Sequence, residues 1–300
     1  MLSRLPAVSV IVATYNRAKL LRETIDSILQ QRFQDYELIV VDDGSTDNTR
    51  AMLEGLGSRI RYFYQENRGP SAARNAGVRH AVGRWISIQD SDDLCAPNHL
   101  ECLYGYVKDH PHYGMVFANG GYLGGSKHDR ETIIPTAKSR RLANRGVQLA
   151  DLFDKSIVRL QAALISKAAY EAAGGHDENL RICMDLDLAF RLFMNSPVSY
   201  VDEVVFFYRK HEGNSSRNEE LRLTENIRVI EKLLAQNKTA GALLGEKRVA
   251  ARLAYRYYRL AKGRRKHGQR SEARSAIRQA SRLRPLAVKY QLYRLRWAFF

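Results

Sequence analysis

The first ninety residues alternate between short apolar runs and amphipathic stretches. Val8-Ser9-Val10-Ile11-Val12-Ala13 is a compact, β-branched run that reads as a buried strand. Thr14-Tyr15-Asn16-Arg17 follows as a polar turn, and Leu20, Leu21, Thr24, Ile25, Ile28 and Leu29 then recur at helical spacing. Glu37–Val41 is a second strand ending in Asp42 and Asp43, after which Gly44 breaks the run and Ser45-Thr46-Asp47 offers N-cap chemistry to a helix through Met52 and Leu53. Arg59–Tyr64 reads as a third strand, Ala72–Ala81 as a helix with Pro70 near its start, and Trp85–Ile88 as a fourth strand. Strands and helices alternating at this spacing predict βαβ units and a mostly parallel sheet flanked by helices. In such sheets ligands bind beyond the carboxyl ends of the strands. Those ends here carry Tyr15, Asp43, Arg68 and the Asp90–Asp93 stretch.

Later the pattern loosens. Asn98–Val107 reads as helix and Gly114–Ala118 as strand, while residues 119–146 show no periodicity and read as a long loop. A short helix over Gly146–Phe153, an apolar run at Ala162–Ile165, a helix over Asp185–Phe193 and a last strand over Ser199–Tyr208 complete the body. Residues 219–300 read as helical throughout. Within them Tyr257, Leu260, Ala261, Gly268, Ala273, Ile277, Ala280 and Pro285 fall in the register of one tetratricopeptide-like helical pair. Leu286, Tyr290, Tyr293, Trp297 and Phe300 form one apolar face of a terminal helix. Such a face either lies in a membrane interface or packs as core.

Charge sharpens that division. The net charge is +16; residues 217–300 hold 22 Lys and Arg against 6 Asp and Glu, so the whole excess lies there. We therefore expect a charge-balanced body, 1–216, and a basic helical appendage, 217–300. The three cysteines, Cys95, Cys102 and Cys183, lack metal-site spacing and read as free thiols of a reducing compartment. No signal peptide is expected where a strand pattern begins almost at once, and no apolar stretch reaches the roughly 18 residues of a transmembrane helix.

The chemistry concentrates at Gln89-Asp90-Ser91-Asp92-Asp93, where an apolar run ends in three carboxylates within four residues. Like charges this close are tolerated at a strand end, most readily around a cation. Hard oxygen ligands suit Mg2+ or Mn2+, which take one or two protein carboxylates plus phosphate and water. Taken alone, an acidic solvated turn fits equally well. An EF-hand does not fit, because Leu94 and Cys95 stand where that loop needs a ligand and a glycine.

Several segments together resemble the family 2 glycosyltransferases: VSVIVATYNR from Val8, SILQQRF from Ser27, YELIVVDDGST from Tyr36, RGPSAARNAG from Arg68 and QDSDD from Gln89. Gly174–Glu178 followed by Met184–Leu188 is similar to a second signature, and Tyr208-Arg209-Lys210-His211 to a third. The likeness covers about residues 5–216; none of its motifs is decisive alone, and their order is specific. It implies a GT-A fold and inverting transfer of a sugar from a nucleoside-diphosphate sugar to an acceptor hydroxyl, in cell-surface polysaccharide or glycolipid synthesis. It implies nucleotide-sugar contacts from Thr14, Tyr15, Asn16, Asp43, Arg74 and Asp90. Tyr15 would flank the base and Asp43 accept a hydrogen bond from it, which suits the imide N–H of uracil or thymine, a uridine donor being favoured. Asp90 would face the ribose or reach the metal through water. Asp92 and His211 would hold the metal, Asp93 would stabilise the loop, and Asp185 would be the catalytic base. Met184 departs from the family, which usually has an acidic residue there. The acceptor would be a saccharide or a lipid-linked sugar, and the basic tail suggests an anionic membrane surface, with the enzyme cytoplasmic on the inner face of the cell membrane.

Two rivals stand beside this reading. A sugar-phosphate nucleotidyltransferase would need a glycine-rich loop after the first strand, which Ala13-Thr14-Tyr15-Asn16-Arg17 lacks. A nucleotide-sugar-binding scaffold without catalysis would not need Asp92, Asp185 and His211 together. Nucleic acid is suggested only by the basic tail, which carries no recognised motif.

Overall fold

The computed structural model describes residues 5–123, 131–155, 157–213 and 217–299. Its internal contacts divide it into two units, Met1–Glu212 and Gly213–Phe300.

The first unit is built on a sheet whose strands run β1 (Val8–Thr14), β2 (Tyr36–Asp42), β3 (Arg61–Tyr64), β4 (Trp85–Asp90), β5 (Leu94–Cys95), β6 (Met115–Leu123), β7 (Ala163–Ser166) and β8 (Val198–Arg209) along the chain. In space the order is β3-β2-β1-β4-β7-β6-β8-β5. The first four strands are mutually parallel, and β6 pairs parallel with β8. β7 and β5 run antiparallel to their neighbours, so the parallel character belongs mainly to the first half.

Between the early strands lie α1 (Ala18–Leu29), α2 (Thr49–Glu54) and α3 (Pro70–His80), followed by α4 (His99–Asp109). The spacing of Leu21, Thr24, Ile25 and Ile28 turns one face of α1 onto Val8, Val10 and Val12, and these side chains are all buried. On α3 the approach is closer. A Cβ on Gly77 would stand 2.4 Å from Ile11 Cγ2, so only glycine lets this helix lie against β1.

The structure moves several predicted boundaries. β4 runs on to Asp90, placing Gln89 and Asp90 inside the sheet, because pairing with β1 continues to the partner pair Ala13 and Asp90. β3 begins only at Arg61, since Gly57–Arg59 closes a 3-10 turn. α2 starts at Thr49, where Asp47 Oδ1 accepts the Thr49 N–H at 3.0 Å; Ser45 and Thr46 bond to Asn16 instead. The stretch read as an aperiodic loop contains the end of β6 and a helix, α5 (Thr136–Arg145). That helix buries only Ser139 and Leu142, too few positions to give a readable period. Residues 124–130 of the same stretch lie outside the described ones. Helices α6 (Leu149–Lys155), α7 (Lys167–Ala172) and α8 (Met184–Asn195) complete this unit.

The second unit is helical: α9 (Glu219–Gln236), α10 (Lys238–Leu244), α11 (Glu246–Lys266), α12 (Arg270–Leu283) and α13 (Val288–Phe299). α11 and α12 form an antiparallel-type hairpin through Gly268, whose φ is +77°, and small side chains (Ala261, Ala273, Ala276, Ala280) are buried among its contacts. In the terminal helix the core reading holds for part of the apolar face. Tyr290 and Trp297 are buried, with Tyr290 and Tyr293 against Tyr258 (5.5 and 5.2 Å between rings) and Trp297 under Arg265. Tyr290 and Trp297 of the apolar face are thus core of their own unit, while Leu286 of the same face is exposed, as are Val288, Leu292 and Leu295. Phe300 lies outside the described residues. No helix among the described residues is long and apolar enough to cross a membrane.

Candidate active site

Register gathers the functional residues. Thr14 pairs with Asp42, Asp42 with Tyr64, and Ala13 with Asp90, so four parallel strands end along one edge. The loops beyond that edge are tied together by their own polar groups. Asn16 takes a left-handed conformation, φ 50°; its N–H donates to Ser45 Oγ at 2.9 Å and its Oδ1 accepts the Thr46 N–H at 2.7 Å. This clasp fixes the turn that carries Tyr15, which stands 48% exposed. Thr14 is buried and its hydroxyl has no hydrogen-bond partner.

Asp43 is buried and organises a neighbouring loop. Its Oδ1 accepts from Gln65 Nε2 at 2.7 Å and the Arg68 N–H at 2.9 Å, and its Oδ2 accepts the Gly69 N–H at 2.8 Å. Gly44 permits the fit, since a Cβ there would lie 2.8 Å from the backbone nitrogen of Asn67. A carboxylate has about four acceptor sites, so one remains for a further donor.

Arg74, on the buried side of α3, joins two of the expected site carboxylates. Its guanidinium donates to Asp90 and, at 3.1 Å, to Asp185 Oδ1 at the start of α8. The side chain is 6% exposed. Burial works against its charge, yet Asp90 and Asp185 outweigh that and raise its pKa further. Gln161 donates to the other oxygen of Asp90. Burial, with Asp92 and Asp185 nearby, pushes Asp90 above the ordinary carboxylate range in spite of Arg74. For Asp185 burial also favours the neutral form, but Arg74 prevails and holds it below that range. Met184, which replaces the expected acidic neighbour, turns inward with its sulfur 3.1 Å from Ser71 Oγ.

The third group forms where β5 pairs with β8. That pairing carries the end of β8 and the residues after it back to the acidic stretch: the Arg209 N–H donates to Asp93 Oδ1 at 2.9 Å, and His211 Nε2 lies 2.9 Å from Asp92 Oδ2. Arg17 forms an ion pair with the same Asp92 oxygen. Ligand atoms of Asp90, Asp92 and Asp93 all lie within 4.8 Å of one another. Asp93 Oδ2 is buried without a hydrogen-bond partner, and burial plus the charges of Asp90 and Asp92 raise Asp93 well above its ordinary value. Three acidic groups under this strain form a set that a hard divalent cation fits.

The edge thus collects Thr14, Tyr15, Asn16, Asp43, Arg74, Asp90, Asp92, Asp185 and His211, and Arg74 and Asp90 connect Asp185 with Asp92 and His211. Arg17, Gln65, Gln161 and His176 join them without having been singled out from the sequence. Arg17 sat within a quoted motif; Gln161 lies 71 residues from its partner Asp90, and no local pattern marks it.

Comparison with known proteins places the chain in a family. The family described as glycosyl transferase family 2 matches residues 9–172. The chain belongs to that family. An uncharacterized glycosyltransferase of Rickettsia typhi is 30% identical over 211 residues, 70% of this chain and 66% of the relative. Glycosyltransferase GlyG of Streptococcus pneumoniae is 28% identical over 226 residues, 71% of this chain and 73% of that protein. Other rickettsial relatives are matched over only 35% of their length. Among solved structures, S. aureus TarS 1-349 in complex with UDP-GlcNAc superposes with TM-score 0.61 at 18% identity, covering 97% of this chain and 88% of the other. A mannosyltransferase of Pyrobaculum calidifontis in complex with GDP-Man and Mn2+ gives TM-score 0.61 at 20% identity, covering 99% and 85%. The GT-A type fold expected for this glycosyltransferase is therefore the one observed.

Proposed function

We propose that this glycosyltransferase inverts configuration, moving a sugar from a nucleoside-diphosphate sugar to an acceptor hydroxyl with Asp185 as general base. The observation that carries this is the buried Arg74, which joins Asp90 at the donor-side strand end to Asp185 at the start of α8. One guanidinium thereby sets the spacing between the group facing the donor and the group facing the acceptor. Positioning of this kind is a large part of what a direct displacement requires. Tyr15 flanks the base, and Asp43 offers its remaining acceptor site to the base N–H, which favours a uridine donor. Asp185 takes the acceptor proton as its oxygen attacks the anomeric carbon, and the diphosphate departs with the bonding electrons.

Asp92 and His211 would hold a divalent cation, with Asp90 and Asp93 beside them. When bound, that ion supplies positive charge against the charge building on the departing diphosphate. Mn2+ suits a set containing histidine better than Mg2+ does. The mannosyltransferase whose fold this chain shares is described with GDP-Man and Mn2+, and TarS with UDP-GlcNAc, so both nucleotides belong in the first screen. Calorimetric titration with uridine and guanosine diphosphates should show Mn2+-dependent binding that Asp92→Asn abolishes. Binding indifferent to Mn2+ and to that substitution would exclude the metal assignment.

The acceptor in this reading is a saccharide, lipid-linked or free, of cell-surface polysaccharide or glycolipid synthesis, made on the inner face of the membrane. Support comes from the second unit, whose basic excess adjoins the exposed Leu286, Val288, Leu292 and Leu295. Each basic residue near an anionic surface contributes about 1 kcal/mol. The full chain should float with anionic vesicles at low salt, and Leu292→Glu with Leu295→Glu should weaken flotation; no flotation at low salt would remove the membrane from the account.

A further inference from the structure

His176 is buried next to Asp185, and the polar groups around it determine its tautomer. Asn75 Nδ2 donates to the His176 carbonyl at 3.0 Å and to Glu178 Oε1 at 3.0 Å, which fixes Asn75 Oδ1 as an acceptor. Tyr170 donates its hydroxyl proton to that oxygen at 2.6 Å. The Tyr170 oxygen is then left to accept, and His176 Nδ1, 2.7 Å away, must donate to it. In the neutral ring Nε2 therefore carries the lone pair. It has no hydrogen-bond partner and faces Asp185 Oδ1 at 3.8 Å. A proton-free nitrogen aimed at a carboxylate is costly to bury unless a proton comes between them.

We infer that His176 is a positioning residue that acts through Asp185: its Nε2 receives the proton Asp185 takes from the acceptor. The inference rests on Asp185 as the base. The acceptor O–H bond breaks as its oxygen bonds to the anomeric carbon, and the sugar–phosphate bond breaks with its electron pair leaving on the diphosphate. The proton lands on the Asp185 carboxyl group, which turns and passes it to Nε2. Asp185 is again a carboxylate, paired with an imidazolium, and the proton returns to water after product leaves. This answers a difficulty in the site, since Arg74 lowers the basicity of Asp185 and Met184 offers no acidic neighbour to restore it. The groups facing His176 are Tyr170 from α7, Arg74 and Asn75 from α3, and Asp185 and Arg191 from α8. Burial, with Arg74 and Arg191, keeps the ring neutral at rest by lowering its pKa, while Asp185 pulls the other way.

The test is the pH profile of kcat for sugar transfer by the full chain. Protonation of the pair removes the base, so activity falls on the acid side. Without His176, Asp185 alone holds its proton less tightly. His176→Phe and His176→Gln should therefore lower the plateau on the order of tenfold, leave KM for the donor unchanged, and move the acid limb to lower pH. A lower plateau with an unmoved limb would reduce His176 to a structural role and overturn the inference, as would an unchanged profile. Should both variants fail to fold, nitrogen NMR of the histidine-labelled wild type decides: the proton of the neutral His176 ring on Nδ1 supports the inference, and on Nε2 overturns it. If Asp185→Asn keeps near-normal turnover, the base reading itself fails. If Asp185→Asn is inactive while the His176 variants keep the wild-type limb, only the role of His176 fails.

Discussion

The two units of this glycosyltransferase handle charge in opposite ways. In the first, a balanced set of charges is drawn inward: Arg74 is 6% exposed between Asp90 and Asp185, and Asp92 meets Arg17 and His211. In the second, the basic excess faces outward. Arg259 pairs with Glu219 with both side chains about half exposed, and leucines, isoleucines and alanines make up most of the interior. Net charge alone would have drawn attention to the second unit. The chemistry sits in the first, where charges are desolvated, mutually constrained and shifted in pKa. A buried ion pair costs more to assemble than an exposed one, and a body that keeps several at a strand edge implies a function for them.

The comparison can be broken most severely at Arg74. Arg74→Ala leaves Asp90 and Asp185 buried without their shared cation, and we expect a loss of about 3–5 kcal/mol in denaturant unfolding at neutral pH. A loss below about 1 kcal/mol would mean that the carboxylates do not depend on it.

Next is pH. His99 is buried between β4 and β8, its Nδ1 donating to the Val205 carbonyl at 3.1 Å and its Nε2 facing Ser87 Oγ at 3.1 Å. Burial pushes its pKa down to about 4. The unfolded ring, near 6.5, takes a proton first, so stability is intact above about pH 6.5 and declines toward pH 4, by about 1.4 kcal/mol per pH unit at most. His99→Gln should flatten the fall of Tm across that window; an equal slope in both proteins would assign the acid sensitivity elsewhere.

The smallest effect belongs to the second unit. Arg259→Ala should cost under about 1 kcal/mol, because an exposed pair is screened by water and salt. A loss as large as that of Arg74→Ala would erase the distinction between the units.

Much of the first unit was legible because its signals are local. The β-branched run Val8–Ala13, the α1 periodicity and the carboxylates closing β2 and β4 each mark their own place. Asp92 and His211 were legible as motifs, although the β5–β8 pairing that joins them across 119 residues was not. Gln161 was missed for the same reason, since a long-range partner leaves no periodicity behind, while Arg17 and His176 lay inside quoted motifs that did not reveal their partners. Tyr290 and Trp297 show where the sequence left two readings open. An apolar stripe looks alike whether it meets lipid or Tyr258 and Arg265, and only packing distinguishes the two.

The central claim is that Asp185 acts on the acceptor and not on the donor. Its most direct test measures donor affinity and single-turnover transfer in the same Asp185→Asn preparation. Transfer should fall by about 10²–10⁴-fold while the dissociation constant of the nucleotide sugar stays within about a factor of two, since a base contributes in the transition state and not to ground-state binding. Near-normal transfer, or a loss of donor binding that accounts for the whole decline, would contradict the assignment.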